Sequence, residues 1–193
     1  VGGGPAGSCA AVAAARMGVK TIIIDNGNCL GGMATKGLVG PFMTCYDRYG
    51  EQMIIKGIFG EIVDRLVEKN WAIHPEHVRW ESPYTAWIKA GHDHVTPFDP
   101  EGLKVILETM CGEAGVKILY HTNFVETIMN GNAAAGAVVL QKQGLRKIHA
   151  RMVIDATGDG DVAVSAGSPF SMGCKERDGK IQPASLFLRI NNV

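Results

Sequence analysis

The chain has 193 residues, 46% of them apolar and 20% charged, enough for one sizeable α/β core plus part of a second and unlike a disordered or fibrous protein. Lys plus Arg and Asp plus Glu both number 19, so no basic field draws the chain to nucleic acid or to an anionic membrane. No apolar run reaches the roughly 18 residues of a membrane span, and the five cysteines are scattered without a C-x-x-C pair, which argues against a disulfide framework or zinc site and fits a reducing, cytoplasmic location.

The chain opens on Val1-Gly2-Gly3-Gly4-Pro5-Ala6-Gly7, a G-x-G-x-x-G turn, and runs into the small residues Ser8-Cys9-Ala10-Ala11. An Ala-rich helix is predicted there, with Arg16 near its end and Gly18 as its stop. Residues 20–25 form a β-branched run closed by Asp25, the pattern of a buried parallel strand. In such a unit Gly2 allows the tight turn, Gly4 lets the backbone approach a pyrophosphate, and Gly7 lets the helix pack closely on the sheet. The helix N-terminus turns unpaired N–H groups and its positive dipole end toward the phosphates. Asp25 is placed to accept hydrogen bonds from the adenosine ribose hydroxyls. The order of turn, helix, strand and acid therefore predicts a dinucleotide site.

A glycine-punctuated loop follows from Asn26 to Gly37, and residues 54–69 carry apolar side chains at helical spacing with charges opposite, predicting an amphipathic helix. Residues 71–97 hold three Trp, three Pro and four of the six His with no sustained period, and read as an irregular insertion or part of a substrate domain. Asp99-Pro100-Glu101 is an N-cap with Pro at the first helical position, opening a helix stopped by Gly115. Strands are predicted at 116–121, 123–129, 135–141 and 145–149, with turns at Asn130-Gly131-Asn132 and Gln143-Gly144. A last buried strand, 151–155, runs into Ala156-Thr157-Gly158-Asp159-Gly160-Asp161.

The glycine fingerprint alone does not choose between nicotinamide and flavin dinucleotides. A hairpin-linked antiparallel meander before the return strand departs from the βαβαβ continuation of a plain dehydrogenase. Gly31-Gly32 falls just after the ribose acid, where backbone must approach an extended cofactor closely. A third glycine turn follows the last strand, at the edge where ligands lie in open α/β sheets. These features favour FAD.

The segments GGGPAGSCAAVAAARMG, IIIDNGNCLGGMATKGLVGPF and VIDATGDGDVAVSAG together resemble the FAD-dependent oxidoreductases with the glutathione-reductase-like fold. The resemblance is strongest to a broad bacterial family of FAD-dependent oxidoreductases, related to the flavin subunits of heterodisulfide reductase and, more distantly, of fumarate reductase. It implies a Rossmann-like FAD-binding parallel sheet with an antiparallel meander, a truncated first strand and the start of a substrate domain. Residues 1–40 and 99–167 would form the two parts of the FAD-binding domain, with 41–98 on the substrate side and 168–193 opening a substrate or cap domain. The resemblance further implies that Gly2, Gly4 and Gly7 cradle the pyrophosphate while Asp25 takes the adenosine ribose, with Pro5, Ala6 and Asn26 beside them also cofactor-binding. Gly31, Gly32, Met33, Ala34 and Thr35 would line the ribityl chain and pyrophosphate, and Val125 would meet the adenine through its backbone. Ala156, Thr157 and Gly158 would close over the cofactor, with Asp161 near the ribityl or phosphate end.

Only Val1 represents a strand entering the glycine turn, and residues 184–190 read as a strand just beginning, so the chain is expected to be an internal piece of a longer protein. The flavin carries the redox chemistry in such enzymes, and the sequence singles out no catalytic residue. Lys36 is either a cation near the flavin or a solvated loop lysine. His74, His77, His92 and His94 lie as H-x-x-H and H-x-H and are either exposed, engaged with substrate or proton, or metal ligands; no metal is expected. Cys29 and Cys45 flank the loop after the ribose acid, and without a C-x-x-x-x-C pair they read as buried thiols. The expected function is hydride or electron transfer through non-covalent FAD to a small-molecule substrate, with an unidentified electron donor or acceptor. Proteins of this fold that use FAD to modify tRNA have similar glycine openings and form the alternative, against which the neutral charge balance argues.

Overall fold

A computed structural model describes residues 1–78, 93–174 and 178–189. Helix α1, Pro5–Arg16, begins with Pro at its first position and ends where Gly18 turns left-handed at φ 82°. It leads into β1, Ile22–Ile24, which pairs in parallel with β2, Lys117–Leu119, in the register Ile22 to Lys117, Ile23 to Ile118 and Ile24 to Leu119. Between them lie α2, Ile58–Glu68, and α3, Pro100–Glu113. An antiparallel meander follows, made of β3, Asn123–Asn130, β4, Ala133–Gln141, and β5, Gly144–His149. A short helix α4, Asp161–Ser165, comes after the last glycine turn.

Three layers result, because successive side chains of a strand point to opposite faces. Ile23 faces the helices and joins Ala11 and Val12 of α1, Leu66 of α2 and Leu103, Leu107 and Met110 of α3 in the main core. Ile24 faces the other way, onto Ala137 and Val139 of the meander. On the outer surface Glu61 of α2 ties the helices together, with Arg16 of α1 at 2.6 Å and Arg65 at 2.8 Å, and Arg65 reaches Glu113 of α3 at 2.7 Å.

The Asp99 cap forms as the sequence predicts: its Oδ1 accepts from the Glu101 N–H at 2.7 Å and the Gly102 N–H at 3.1 Å. Burial acts to raise the Asp99 carboxyl, but these two donors and Arg189 together hold it below its ordinary value. Its contribution is therefore complete above the ordinary carboxylate range and is lost as pH falls through the lowered value. Asp99→Ala should destabilise the fold by about 1 kcal/mol at neutral pH, with a smaller difference at acid pH. Urea unfolding at the two pH values measures this, and an equal loss at both would remove the carboxylate from the cap.

Three predicted elements differ from the structure. The helix expected from residue 54 starts at Ile58, because the N–H groups of Ile54 and Ile55 both turn back to the Cys45 carbonyl and Gly57 takes φ 66° before the helix. The strand expected at 151–155 forms no ladder among the described residues; next to it Val1 donates its nitrogen to the Ile154 carbonyl and accepts at its carbonyl from the Ala156 N–H. Residues 184–189 have no strand partner among the described residues, and Leu186 is 89% exposed. No helix among the described residues is long and apolar enough to cross a membrane.

Candidate functional site

The glycine turn, the end of β1 and the turn after residue 155 meet at one side of the parallel pair. Gly2 donates its N–H to the Ile24 carbonyl at 2.8 Å, and Gly3 donates to Asp25 Oδ2 at 2.7 Å. These bonds lock the turn against the strand. A Cβ on Gly7 would lie 1.8 Å from the Gly2 carbonyl oxygen and 3.2 Å from Ala156 Cβ, so the start of α1 seats against the turn only because residue 7 lacks a side chain. Gly4, the N-cap, is different. Its backbone is ordinary at φ −64°, and a Cβ there would meet no atom within 4 Å.

The space beside Gly4 is a cleft of about 960 Å³. Its walls are Gly2, Gly4, Pro5 and Ala6 of the first turn, Asp25 and Asn26 at the end of β1, Gly32, Met33, Lys36 and Gly37 of the following loop, Thr122 to Val125 of the meander, and Ala156 to Asp159 with Asp161 of the last turn. The first N–H groups of α1 have no partner within the helix and, with its dipole, favour an anion at this end of the cleft.

Thirteen of the seventeen cofactor candidates from the sequence border the cleft, and the other four are structural neighbours of it. Gly7 packs behind the turn. Gly31 (φ 99°) and Gly32 (φ 49°) turn the loop so tightly that a Cβ on Gly32 would lie 3.0 Å from Gly4 Cα; the close approach is loop against loop. Ala34 and Thr35 were expected along the cofactor but are buried, and the Thr35 hydroxyl donates to the Leu30 carbonyl at 2.8 Å, closing the loop from behind. Val125 is the residue without a cross-strand partner at a bulge between Phe124 and Glu126, so its backbone polar groups are released from the β3–β4 ladder on the cleft side.

Asp25 is 8% exposed, and its carboxylate accepts from Gly3, from the Gly27 N–H at 2.7 Å and from Lys36 Nζ at 2.9 Å. Burial acts to raise its pKa, but the Lys36 bond and the two N–H groups outweigh it and hold the carboxyl below its ordinary value. Lys36 is therefore tied to Asp25 and is not the solvated loop lysine that one of its two readings expects. Asp155, which sequence reasoning passed over, braces the last turn: Oδ1 accepts from the Thr157 N–H and hydroxyl at 2.9 and 2.6 Å, and Oδ2 from the Ala163 N–H at 2.8 Å. The Asp-x-Thr spacing of an Asx turn was the signal for it. Thr157 Oγ1 in turn accepts from the Asp161 N–H at 2.9 Å, holding Asp161 at the cleft rim.

The described candidate histidines, His74, His77 and His94, do not join this site. His74 caps a single turn of 3₁₀ helix at Pro75–His77 and His77 ends it, with both rings within 4 Å of Glu76 carboxylate oxygens. His94 is 3% exposed, stacks on Tyr46 at 4.0 Å and has Nδ1 at 3.0 Å from the Pro75 carbonyl. His92 lies outside the described residues. Among the described residues no three metal-binding side chains converge. Cys29 and Cys45 are buried thiols, and burial pushes the Cys45 thiol up.

A glycine turn at a helix N-terminus, an acid at the end of the adjoining strand and a second glycine turn across the cleft define an α/β dinucleotide-binding protein. Over residues 1–193 the sequence matches the family described as FAD dependent oxidoreductase, and the chain belongs to that family. Among solved structures, it is similar to THI4 of Thermovibrio ammonificans, at 19% identity and a TM-score of 0.52, covering 85% of this chain and 58% of that one. It is also similar to a geranylgeranyl bacteriochlorophyll reductase-like protein of Thermoplasma acidophilum, at 22% identity and a TM-score of 0.56, covering 86% and 40%. A third is the glycerol-3-phosphate dehydrogenase of Bacillus halodurans complexed with FAD, at 13% identity and a TM-score of 0.53, covering 88% and 36%. At these identities the likeness is one of fold, and the chain spans little more than half the length of the first of them. Among curated proteins no significant sequence match is found.

The residues present fit FAD. Gly4 leaves open a space that its own backbone does not require, at the helix end where a pyrophosphate would be favoured, and the buried Asp25 carboxylate stands at the strand end. Asp25→Ala should weaken FAD binding by roughly 1–3 kcal/mol, because the ribose hydroxyls lose a charged acceptor. Titration of the apoprotein with FAD measures this, and an unchanged affinity would remove Asp25 from the site.

Proposed function

We propose that the protein is an FAD-dependent oxidoreductase that moves a hydride or electrons between a non-covalently held flavin and a small-molecule substrate, with a separate electron donor or acceptor. The observation that carries this reading is the open space beside Gly4 at the start of α1, in one cleft with Asp25. In this reading the turn from Gly2 to Ala6 and the free N–H groups of α1 hold the pyrophosphate. Asp25, assisted by Asn26, holds the adenosine ribose. The released backbone at Val125 meets the adenine edge, as bulged positions at binding sites commonly re-aim the chain. Gly32 and Met33 run along the extended cofactor, and Ala156, Thr157, Gly158 and Asp161 close over it, their turn fixed by Asp155.

Bound there, FAD supplies the hydride and electron chemistry. The chain's residues bind it, orient it and keep its anionic groups paired with backbone donors and a helix dipole. Residues 168–193 are assigned to the start of a substrate or cap region, and the five scattered cysteines, with no C-x-x-C pair, support a cytoplasmic location.

The test is the purified full-length protein. It is expected to be yellow, to release FAD rather than FMN on acid treatment, and to be bleached by dithionite and reoxidised by its electron acceptor. A folded protein that takes up no flavin, or that binds NAD in its place, would overturn the reading.

A further inference from the structure

The Lys36–Asp25 pair is not explained by the fold. A buried carboxylate needs charge pairing and donors, and Asp25 already has two backbone N–H groups at 2.7 Å. Lys36 adds a cation to Oδ1 alone, on the oxygen that also takes the Gly27 N–H. Among the described residues Oδ2 takes the Gly3 N–H alone and keeps capacity for a further donor. The path of the lysine is built into the loop. A Cβ on Gly27 would lie 2.0 Å from Lys36 Nζ and 2.9 Å from its Cδ and Cε, although Gly27 is not in the left-handed region that favours glycine. The lysine backbone is fixed on either side by the Thr35 hydroxyl on the Leu30 carbonyl at 2.8 Å and the Gly37 N–H on the Gly32 carbonyl at 3.3 Å. Lys36 and Asp25 both border the cleft.

We propose that Lys36 is a positioning residue for FAD: its ion pair with Oδ1 fixes the rotamer and ionised form of Asp25, leaving Oδ2 to receive a ribose hydroxyl, and Gly27 is glycine to let it do so. This rests on reading the cleft as the FAD site. A ribose hydroxyl is a weak donor whose bond strengthens when the acceptor is fully ionised and already oriented. The other charged groups about the site are Asp159 and Asp161 on the opposite wall, with His121 next to Gly27 through its N–H on the Gly27 carbonyl at 3.0 Å. Lys36 is the cation bonded to Asp25, so removing it leaves the carboxylate easier to protonate.

The experiment is titration of full-length apoprotein with FAD, followed by flavin fluorescence, for wild type, Asp25→Asn, Lys36→Met, Lys36→Arg and Gly27→Ala, each across pH 4 to 8. Lys36→Met is expected to weaken binding about tenfold, and Lys36→Arg to stay within about threefold of wild type. Gly27→Ala, which keeps the lysine but displaces its ammonium, is expected to lose affinity like Lys36→Met. Adding Lys36→Met to Asp25→Asn should cost little more. In Lys36→Met the acid release of FAD should begin at higher pH than in wild type. Wild-type affinity and acid release in both Lys36→Met and Gly27→Ala, beside weakened binding in Asp25→Asn, would overturn the role of Lys36 alone. Fully additive losses in the double variant would also overturn it, since the lysine would then act on the ligand independently of Asp25. Unchanged binding in Asp25→Asn would overturn the cleft assignment and this proposal with it.

Discussion

Replacing Gly4 by Val should abolish FAD binding in a protein that still folds. A Cβ at residue 4 meets no atom of the chain within 4 Å, and φ −64° with ψ −178° is an extended backbone that valine adopts without strain. The folded state should therefore lose no more than the fraction of a kcal/mol to about 1 kcal/mol attached to a poorer N-cap. The cost falls on the ligand. Two methyl groups would stand where a pyrophosphate must approach the backbone donors of α1, and without that approach the anion keeps neither its hydrogen bonds nor the dipole. A loss of affinity exceeding a hundredfold, roughly 3 kcal/mol, is expected. Flavin content after purification and FAD titration check it, with far-UV circular dichroism and a thermal melt as the control on folding. Normal flavin retention in Gly4→Val would show that the open space serves no ligand.

Gly7→Val should instead damage the fold itself. Here the Cβ position lies 1.8 Å from a backbone carbonyl oxygen and 3.0 Å from its carbon, which no side-chain rotation relieves. Helix α1 would have to withdraw from the glycine turn, taking Ala11 and Val12 away from Ile23 in the main core. A destabilisation of about 4 kcal/mol or more is expected, a large share of the 5–15 kcal/mol that holds a typical domain together. Urea unfolding of the apoprotein measures it, and a midpoint close to wild type would mean that α1 does not pack on the turn as described. The contrast between residues 4 and 7, three positions apart, separates a glycine kept for a ligand from one kept for packing.

The local rules that made parts of the structure legible are visible in particular residues. The glycine turn, α1, β1 and Asp25 could be read because each has a short-range cause: a helix start at Pro5, a stop at Gly18, a β-branched run, an acid at its end. The meander could be read from alternation broken by two turns, and the start of α3 from Asp99-Pro100. What escaped depends on distant partners. The start of α2 is decided by the Cys45 carbonyl, which captures two N–H groups that helical periodicity had assigned to the helix. Residues 151–155 have a strand's composition, but a strand is defined by its neighbour, and Val1 provides one residue of it. The bulge at Val125 depends on the register against β4. The pair between Lys36 and Asp25, eleven residues apart, depends on the path of a loop that no periodicity describes.

In the proposed function FAD occupies the cleft with its pyrophosphate at the start of α1 and its adenosine ribose on Asp25. A structure of the full-length protein with FAD tests it most directly. Pyrophosphate oxygens are expected within hydrogen-bond distance of the backbone at Gly4 and Ala6, and a ribose hydroxyl on Asp25 Oδ2 while Lys36 remains on Oδ1. A flavin seated elsewhere, or one lying in this cleft with its phosphates away from α1 and Asp25 unengaged, would contradict it.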